Sequence, residues 1–234
     1  MLPDTGETRC DPPEFPYRVP SEAEFDFRDL FVLDLANNHQ GDVGHGMRII
    51  RECGDVVRAA RVRAMFKFQF RELDSFIHPA HRGKTDNKHI PRFLETRLSD
   101  DQFRAMLGEV RKQGMLAACT PFDEASVEKI VAMGFDALKI ASCSAADWPL
   151  LERAAESGMP VIFSTAGLAL SDIDNLCSFF EHRRVNFAIM HCTAIYPTPD
   201  EHFQLNQIDV LRARFPAVEI GFSSHEPPGD PVFV

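Results

Sequence analysis

The sequence lacks the features that mark several protein classes. No stretch approaches the roughly 18 apolar residues of a membrane span, and the first residues, MLPDTGETRCDPPEFP, lack the basic and apolar regions of a signal peptide. Basic residues are also few, 25 Lys and Arg against 35 Asp and Glu, for a formal net charge of −10. This balance argues against a general nucleic-acid or anionic-membrane surface. We therefore expect a cytoplasmic protein in which any anionic ligand occupies a local basic pocket.

The cysteines show no metal-binding or disulfide pattern. They are six in number and scattered, with no Cys-x-x-Cys spacing, so neither a zinc knot nor a disulfide framework is predicted. A length of 234 residues is within the range of one α/β barrel. The sequence thus predicts a single domain whose cysteines are reduced: Cys10, Cys53, Cys119, Cys143, Cys177 and Cys192.

Two regions differ in composition. Residues 1–29 contain five prolines among acidic and polar residues, which predicts an extended N-terminal arm. Residues 30–234 contain short apolar runs rich in residues that favour strands. Seven such runs predict strands: FVLDL (31–35), AMFKFQF (64–70), MLAAC (115–119), DALKI (136–140), PVIFS (160–164), NFAIMH (186–191) and VEIGFS (218–223).

Helix signals separate these runs, and together they predict parallel strands joined by right-handed crossovers. Helix starts are indicated by Ser99 with Gln102, by Asp123, and by Ser171 with Asp174. Polar residues end nearly every strand, which favours a TIM (β/α)8 barrel over an open sheet, because a barrel gathers reactive residues at one edge. No helix or eighth strand is indicated after the seventh, so we expect a truncated barrel. Residues 71–98 are predicted to form an active-site loop after the second strand.

Two lysines are the strongest candidates for a binding site. Lys67 and Lys139 lie within apolar strands, where an ammonium group needs an anionic partner or a shifted pKa. A phosphate or carboxylate ligand would satisfy both, although a lysine at a strand end can also reach solvent or pair with a nearby Asp. Four hydroxyl residues at strand ends could complete an anion cradle, or could simply be turn and cap residues: Thr120, Ser142, Ser164 and Ser223.

Two histidines end the sixth and seventh predicted strands. His191 and His225 could be metal ligands or proton carriers, and each could equally be a hydrogen-bonded core residue.

Seven motifs in this order and at these strand edges resemble the N-acetylneuraminate (sialic acid) synthase family, which includes legionaminate and pseudaminate synthases. They are LDLANNHQG, KFQ, CTPFD, LKIAS, STAG, HCTAIYPTP and IGFSSH, and the resemblance covers about residues 30 to 229. It implies a metal-dependent condensation of phosphoenolpyruvate with an N-acetylmannosamine-type aldehyde. The products would be a nine-carbon 2-keto acid and phosphate.

The resemblance also implies roles for individual residues. Lys67 and Lys139 would bind phosphoenolpyruvate, and His225 would be one of two histidines that bind Mn²⁺ or Mg²⁺. Asp34 and Tyr196 would act with the two lysines in catalysis. The remaining substrate contacts, with Tyr196, would be Thr120, Ser142, Ser164 and Ser223. The eighth strand with the second histidine, and a C-terminal antifreeze-like domain through which the full-length protein could form a homodimer, are not expected in this chain.

Three departures from the family pattern concern the acceptor sugar. Asp34 stands where Glu is usual, Cys143-Ser144 where Gly-Glu is common, and Ala194 where Asn can occur. The phosphoenolpyruvate side matches, so the donor is predicted more firmly than the acceptor. Three other functions are compatible with the sequence: a Schiff-base aldolase using Lys139, a metal-dependent hydrolase using His191 and His225, and a non-catalytic barrel that binds a sugar or phosphate.

Overall fold

A computed structural model describes residues 24–84, 87 and 89–225. Most of the predicted N-terminal arm, residues 1–23, lies outside the described residues. Seven parallel strands form one sheet in the order of the sequence, each hydrogen-bonded to the next. The predicted strands are confirmed to within two residues at either end: β1 Leu30–Asp34, β2 Arg63–Phe70, β3 Leu116–Pro121, β4 Ala137–Ile140, β5 Val161–Ser164, β6 Phe187–His191 and β7 Glu219–Phe222.

The helices lie between the strands. They are α1 Val43–Ala60, α2 Leu73–Phe76, α3 His89–Glu95, α4 Asp100–Lys112, α5 Glu124–Met133, α6 Trp148–Glu156, α7 Leu170–His182 and α8 Asn206–Arg214. Ser99 and Gln102 form the predicted capping box, and Asp123 caps α5. The predicted start at Ser171 is wrong, because Asp172 accepts a hydrogen bond from the Ala169 amide, 2.9 Å away, and the helix begins at Leu170. No helix among the described residues is long and apolar enough to cross a membrane.

Side-chain alternation gives the sheet an outer and an inner face. The outer face packs against the helices through large buried side chains such as Phe66, Phe68 and Phe163. The inner face carries a second cluster, in which Val32 of β1 and Met190 of β6 pack with Met65, Ala118, Ala137 and Ile162. Parallel strands in sequence order, with the helices packed on one face and an apolar row across the other, are the arrangement of a barrel wall. The described strands are therefore seven strands of a (β/α) barrel, as predicted.

The segment from Arg71 to Leu98, predicted to be a loop, contains α2, a 3-10 turn at Pro79–His81 and α3. It is held by a small apolar cluster of its own, in which Leu73, Ile77 and Ile90 pack with Phe93. It also touches the turn after β1, where Gly41 has φ +76° and a Cβ built on it would lie 2.6 Å from the Glu95 carbonyl oxygen. The described part of the segment is thus folded, and it approaches the turn between β1 and α1 at Gly41.

Replacing Gly41 with Ala should destabilise the protein, because the new Cβ would collide with backbone that cannot move alone. We expect the free energy of unfolding to fall by about 1–3 kcal/mol more than in Gly83→Ala. Gly83 is a matched control, since it has the same φ of +76° and nothing within 4 Å of a built Cβ. Urea denaturation of both variants measures the difference. Equal losses would show that the contact with Glu95 is unimportant.

Candidate active site

The inner face of the strands brings the predicted residues to one edge of the sheet. Lys67 follows Met65 at a spacing of two, and Lys139 follows Ala137 in the same way, so both lysines continue the inner face. The register pairs Asp34 with Lys67 and places Thr120 opposite Gln69. Parallel strands present their C-terminal ends at the same edge, which is where barrel enzymes carry their active sites.

Lys67 is paired with a carboxylate. It is 9% exposed, and its Nζ lies 2.9 Å from Asp34 Oδ1. The same carboxylate oxygen accepts a hydrogen bond from the Ala36 amide at 2.9 Å. Asp34 therefore compensates the charge of Lys67 through Oδ1, while its side chain stays 49% exposed.

Lys139 has no such compensation. Its Nζ donates a hydrogen bond to Ser164 Oγ, and no carboxylate among the described residues lies within ion-pair distance. Burial, followed by the positive charge of Lys67, lowers the pKa of Lys139 to about 8. The two lysines thus place two ammonium groups near one another on the inner face, with only one carboxylate between them.

The predicted hydroxyl residues have different surroundings. Thr120 is 2% exposed, and its Oγ1 has no hydrogen-bond partner in the described part of the chain. Ser142 lies just past β4 in a 3-10 turn, where its Oγ accepts a hydrogen bond from the Ala166 amide at 3.1 Å. The Ser223 amide donates to the His191 carbonyl at 2.8 Å, at the end of β7. Thr120 and Ser164 are the two hydroxyls enclosed beside the lysines.

The two histidines do not face the same space. His191 continues the outer face of β6, where its Nε2 lies 2.8 Å from the Phe203 carbonyl oxygen and its ring stacks on Phe222. His191 is therefore a core residue. The hypothesis of a hydrolase that binds a metal through His191 and His225 is not supported, because the two side chains do not meet. His225 lies beyond β7, with Nδ1 3.3 Å from the Thr193 carbonyl oxygen. The ring of Tyr196, which is 83% exposed, packs 5.1 Å from the His225 ring, at the rim of the mouth.

The described residues do not by themselves make a metal site. Over residues 24–84, 87 and 89–225, no group of three His, Cys, Asp or Glu side chains is placed to hold a metal ion. Cys192 lies beside His225, with its Sγ 3.8 Å from Nδ1 and 3.9 Å from Nε2. The metal ligand predicted at His225 stays a prediction.

Two site residues were missed by the sequence reasoning. Cys192 follows Met190 on the inner face; burial opposes its ionisation, but the hydrogen bond to His225 and nearby positive charge leave the pKa of the thiol lowered. Arg71 follows β2 directly, with its guanidinium carbon 4.4 Å from the Phe93 ring centre and 3.8 Å from that of Phe122. The strand alternation from Lys67 through Gln69 could have indicated Arg71. No sequence signal indicated that two aromatic rings would enclose it.

Fold and site together define an α/β barrel protein with a lysine-lined mouth at the C-terminal ends of its strands. Residues 56–232 match the model of the NeuB family, so the chain belongs to the NeuB family. This agrees with the resemblance seen in the motifs.

Individual relatives support the same assignment. The chain is 38% identical over 198 residues to Bacillus subtilis spore coat polysaccharide biosynthesis protein SpsE, covering 84% of this chain and 53% of the relative. It is 29% identical over 202 residues to human N-acetylneuraminate-9-phosphate synthase, covering 84% and 55%. A solved Chromobacterium violaceum structure, described as a spore coat polysaccharide biosynthesis protein E, is 47% identical with a TM-score of 0.83, covering 86% and 60%. The chain thus spans about half the length of the curated relatives it matches.

Proposed function

We propose that the protein condenses phosphoenolpyruvate with an open-chain N-acetylmannosamine-type aldehyde and releases phosphate. The observation that carries this proposal is the pair of inner-face lysines, Lys67 and Lys139, at the mouth of the barrel. The printed name of the human relative, N-acetylneuraminate-9-phosphate synthase, supports the same class of reaction. The product would be a nine-carbon 2-keto acid.

The donor fits the charges at the mouth. Phosphoenolpyruvate carries a phosphate and a carboxylate, and the two ammonium groups with the single Asp34 carboxylate leave a net positive site. The enclosed hydroxyl of Thr120, which has no partner in the described residues, can donate to one of the donor's oxygens. Charge-assisted hydrogen bonds of this kind are the strong ones in a site sheltered from water.

The reaction balances without a redox partner. The enol carbon of phosphoenolpyruvate forms a bond to the aldehyde carbon, whose oxygen takes a proton. Water adds to the carbon that bears the phosphate, and the bond from that carbon to the phosphate oxygen then breaks. Lys67 and Lys139 would hold the carboxylate and phosphate in place and stabilise the negative charge on the departing phosphate.

Asp34, Tyr196 and Ser223 would face the acceptor sugar. Asp34 uses Oδ1 for Lys67 and the Ala36 amide, which leaves Oδ2 available to a sugar hydroxyl or to the attacking water. A divalent metal ion, Mn²⁺ or Mg²⁺, belongs to the proposal through His225, and it would polarise the aldehyde when bound. The roles given to the other residues do not depend on it.

A Schiff-base aldolase is the second candidate, because a lysine pKa of about 8 leaves a sizeable neutral fraction near pH 7.5. Incubation with pyruvate and sodium borohydride, followed by mass spectrometry, separates the two. We expect no reductive adduct on Lys139, since its Nζ is hydrogen-bonded to Ser164 Oγ and the proposed reaction forms no covalent bond to it. An adduct on Lys139 would establish the aldolase instead.

The affinity for phosphoenolpyruvate should fall as the pH rises above about 8. The unliganded Lys139 loses its proton there, and only its charged form attracts the anion, so linkage of one proton weakens binding by up to tenfold per pH unit. Calorimetric titration between pH 7 and 9.5 measures the effect. Lys139→Arg is the control, because its guanidinium stays charged throughout this range and should flatten the profile. An equally flat profile in the unaltered protein would remove Lys139 from the donor site.

A further inference from the structure

A cavity of about 430 Å³ lies beside the barrel mouth, under the segment from Arg71 to Leu98. We call it the side cavity; its walls include Gln69, Arg71, Ser126 and Lys129. Gln69 lies two residues beyond Lys67 on the same face of β2, so it belongs both to the mouth and to the side cavity. A ligand at the lysines could therefore extend into the side cavity past Gln69.

Arg71 is the cation of this wall that has no carboxylate partner among the described residues. Lys129 pairs with Glu72 at 2.6 Å, and Arg97 pairs with Asp74 at 2.9 Å. The terminal nitrogens of Arg71 instead share one weak acceptor, Gln69 Oε1, at 3.3 and 3.4 Å, and its Nε is buried without a partner in the described part of the chain. The rings of Phe93 and Phe122 hold the guanidinium in one orientation.

A second unsatisfied group lies in the same wall. Ser126 is 1% exposed, and its Oγ has no partner among the described residues, although its amide is bonded to Asp123 Oδ1 at 2.8 Å. Buried polar groups in native proteins are nearly always hydrogen-bonded, because a group that loses its hydrogen bonds to water without gaining others destabilises the fold. Arg71 and Ser126 both line the side cavity, and a guanidinium held in one orientation suits an oxygen-rich anion.

We infer that the side cavity binds an anionic group, a phosphate or a carboxylate, at the end of the acceptor sugar farthest from its aldehyde, and that Arg71 selects for that group. This inference rests on the proposed function and specifies its acceptor class. Arg71 comes directly after β2, four residues beyond Lys67, so their backbone positions are roughly 13 Å apart along the strand direction, which is on the scale of a sugar chain. The carboxylates of Glu72 and Asp100 in the same wall do not repel an anion strongly, because Lys129 pairs with both of them.

The charge of Arg71 persists under working conditions. Burial lowers its pKa to about 10, and nearby Cys143 and Asp123 oppose this shift, so the guanidinium stays protonated at neutral pH. A partly desolvated guanidinium that is charged but not ion-paired gains most from an incoming anion.

Calorimetry with two acceptors tests the inference: N-acetylmannosamine and N-acetylmannosamine 6-phosphate, each titrated into the protein without phosphoenolpyruvate, so that only the heat of binding is measured. We expect the phosphorylated sugar to bind at least tenfold more tightly. The preference should disappear in Arg71→Gln, fall only partly in Arg71→Lys, and persist in Arg92→Gln. Arg92 is a matched control, because it is an exposed arginine of the same segment that does not line the side cavity.

The outcomes separate this inference from the proposed function. Equal binding of both sugars, or a preference that survives Arg71→Gln, would overturn the inference while leaving phosphate release from phosphoenolpyruvate as an independent test of the reaction. Inorganic phosphate is a third ligand in the series. If it alone bound through Arg71 as tightly as the phosphorylated sugar, the site would belong to free phosphate and not to the acceptor. If Arg71→Gln did not fold, Arg71→Lys and Ser126→Ala would provide the same comparison.

Discussion

Replacing Lys139 with Gln is expected to weaken phosphoenolpyruvate binding by about two to three orders of magnitude and to abolish phosphate release. Removing one partner of an enclosed, charge-assisted contact typically costs 2–5 kcal/mol, and Lys139 is the ammonium group at the mouth that no described carboxylate neutralises. Glutamine keeps much of the side-chain volume and can still bond to Ser164. The loss of affinity would therefore measure the effect of removing the positive charge, and not a collapse of the site.

Calorimetry with phosphoenolpyruvate measures this effect on the folded variant. Lys112→Gln is the control, since Lys112 is an exposed lysine in the last turn of α4 and changes the net charge by the same amount. Undiminished binding by Lys139→Gln, with normal thermal unfolding, would mean that the anion is held elsewhere.

Replacing Asp34 with Asn should lower turnover by roughly a hundredfold, the usual scale for losing one acid–base group, while phosphoenolpyruvate still binds. Asp34 Oδ1 already serves Lys67 and the Ala36 amide, and Oδ2 is the oxygen left for the acceptor or for water. The variant also removes the negative charge nearest Lys67, so donor affinity should be unchanged or increased. A change in turnover without loss of donor binding distinguishes a catalytic role from a purely structural one.

Asp34→Glu is a useful second variant for comparison, because Glu is the usual residue of the family at this position. It should retain more activity than Asp34→Asn, since the carboxylate is kept. Steady-state kinetics, with phosphate release as the signal, compares the two. If Asp34→Asn retained full turnover, Asp34 would serve only to hold Lys67.

The fold was largely predictable from the sequence because parallel strands buried on both faces leave a strong local signal. Runs such as AMFKFQF are apolar, short and rich in aromatic residues, and β2 lies within one residue of its prediction. Helix starts were predictable where a cap is local, as at Ser99. At α7 the predicted start was Ser171 with Asp174, but Asp174 is paired with Arg214 of α8, a contact 40 residues away that no local pattern indicates.

The positions of the two lysines and the enclosed hydroxyls in the candidate site were predictable. Lys67, Thr120, Lys139 and Ser164 all follow from strand alternation, which brings them to one edge of the inner face. The surroundings of each residue were not predictable, since they depend on contacts between distant segments. Arg71 is held in place by Phe93 and Phe122, which are distant in the sequence. His191 is a core residue because its ring bonds to the carbonyl of Phe203, 12 residues away.

The most direct test of the central claim is the product of the reaction. The protein is incubated with phosphoenolpyruvate, Mn²⁺ and a panel of N-acetylated hexosamine aldehydes, with and without a 6-phosphate, and phosphate and new keto acids are quantified by mass spectrometry. We expect one phosphate released for each nine-carbon 2-keto acid formed, with one preferred sugar and no product from Lys139→Gln. Folded protein that binds phosphoenolpyruvate but forms no keto acid with any sugar would contradict this expectation and leave a ligand-binding barrel.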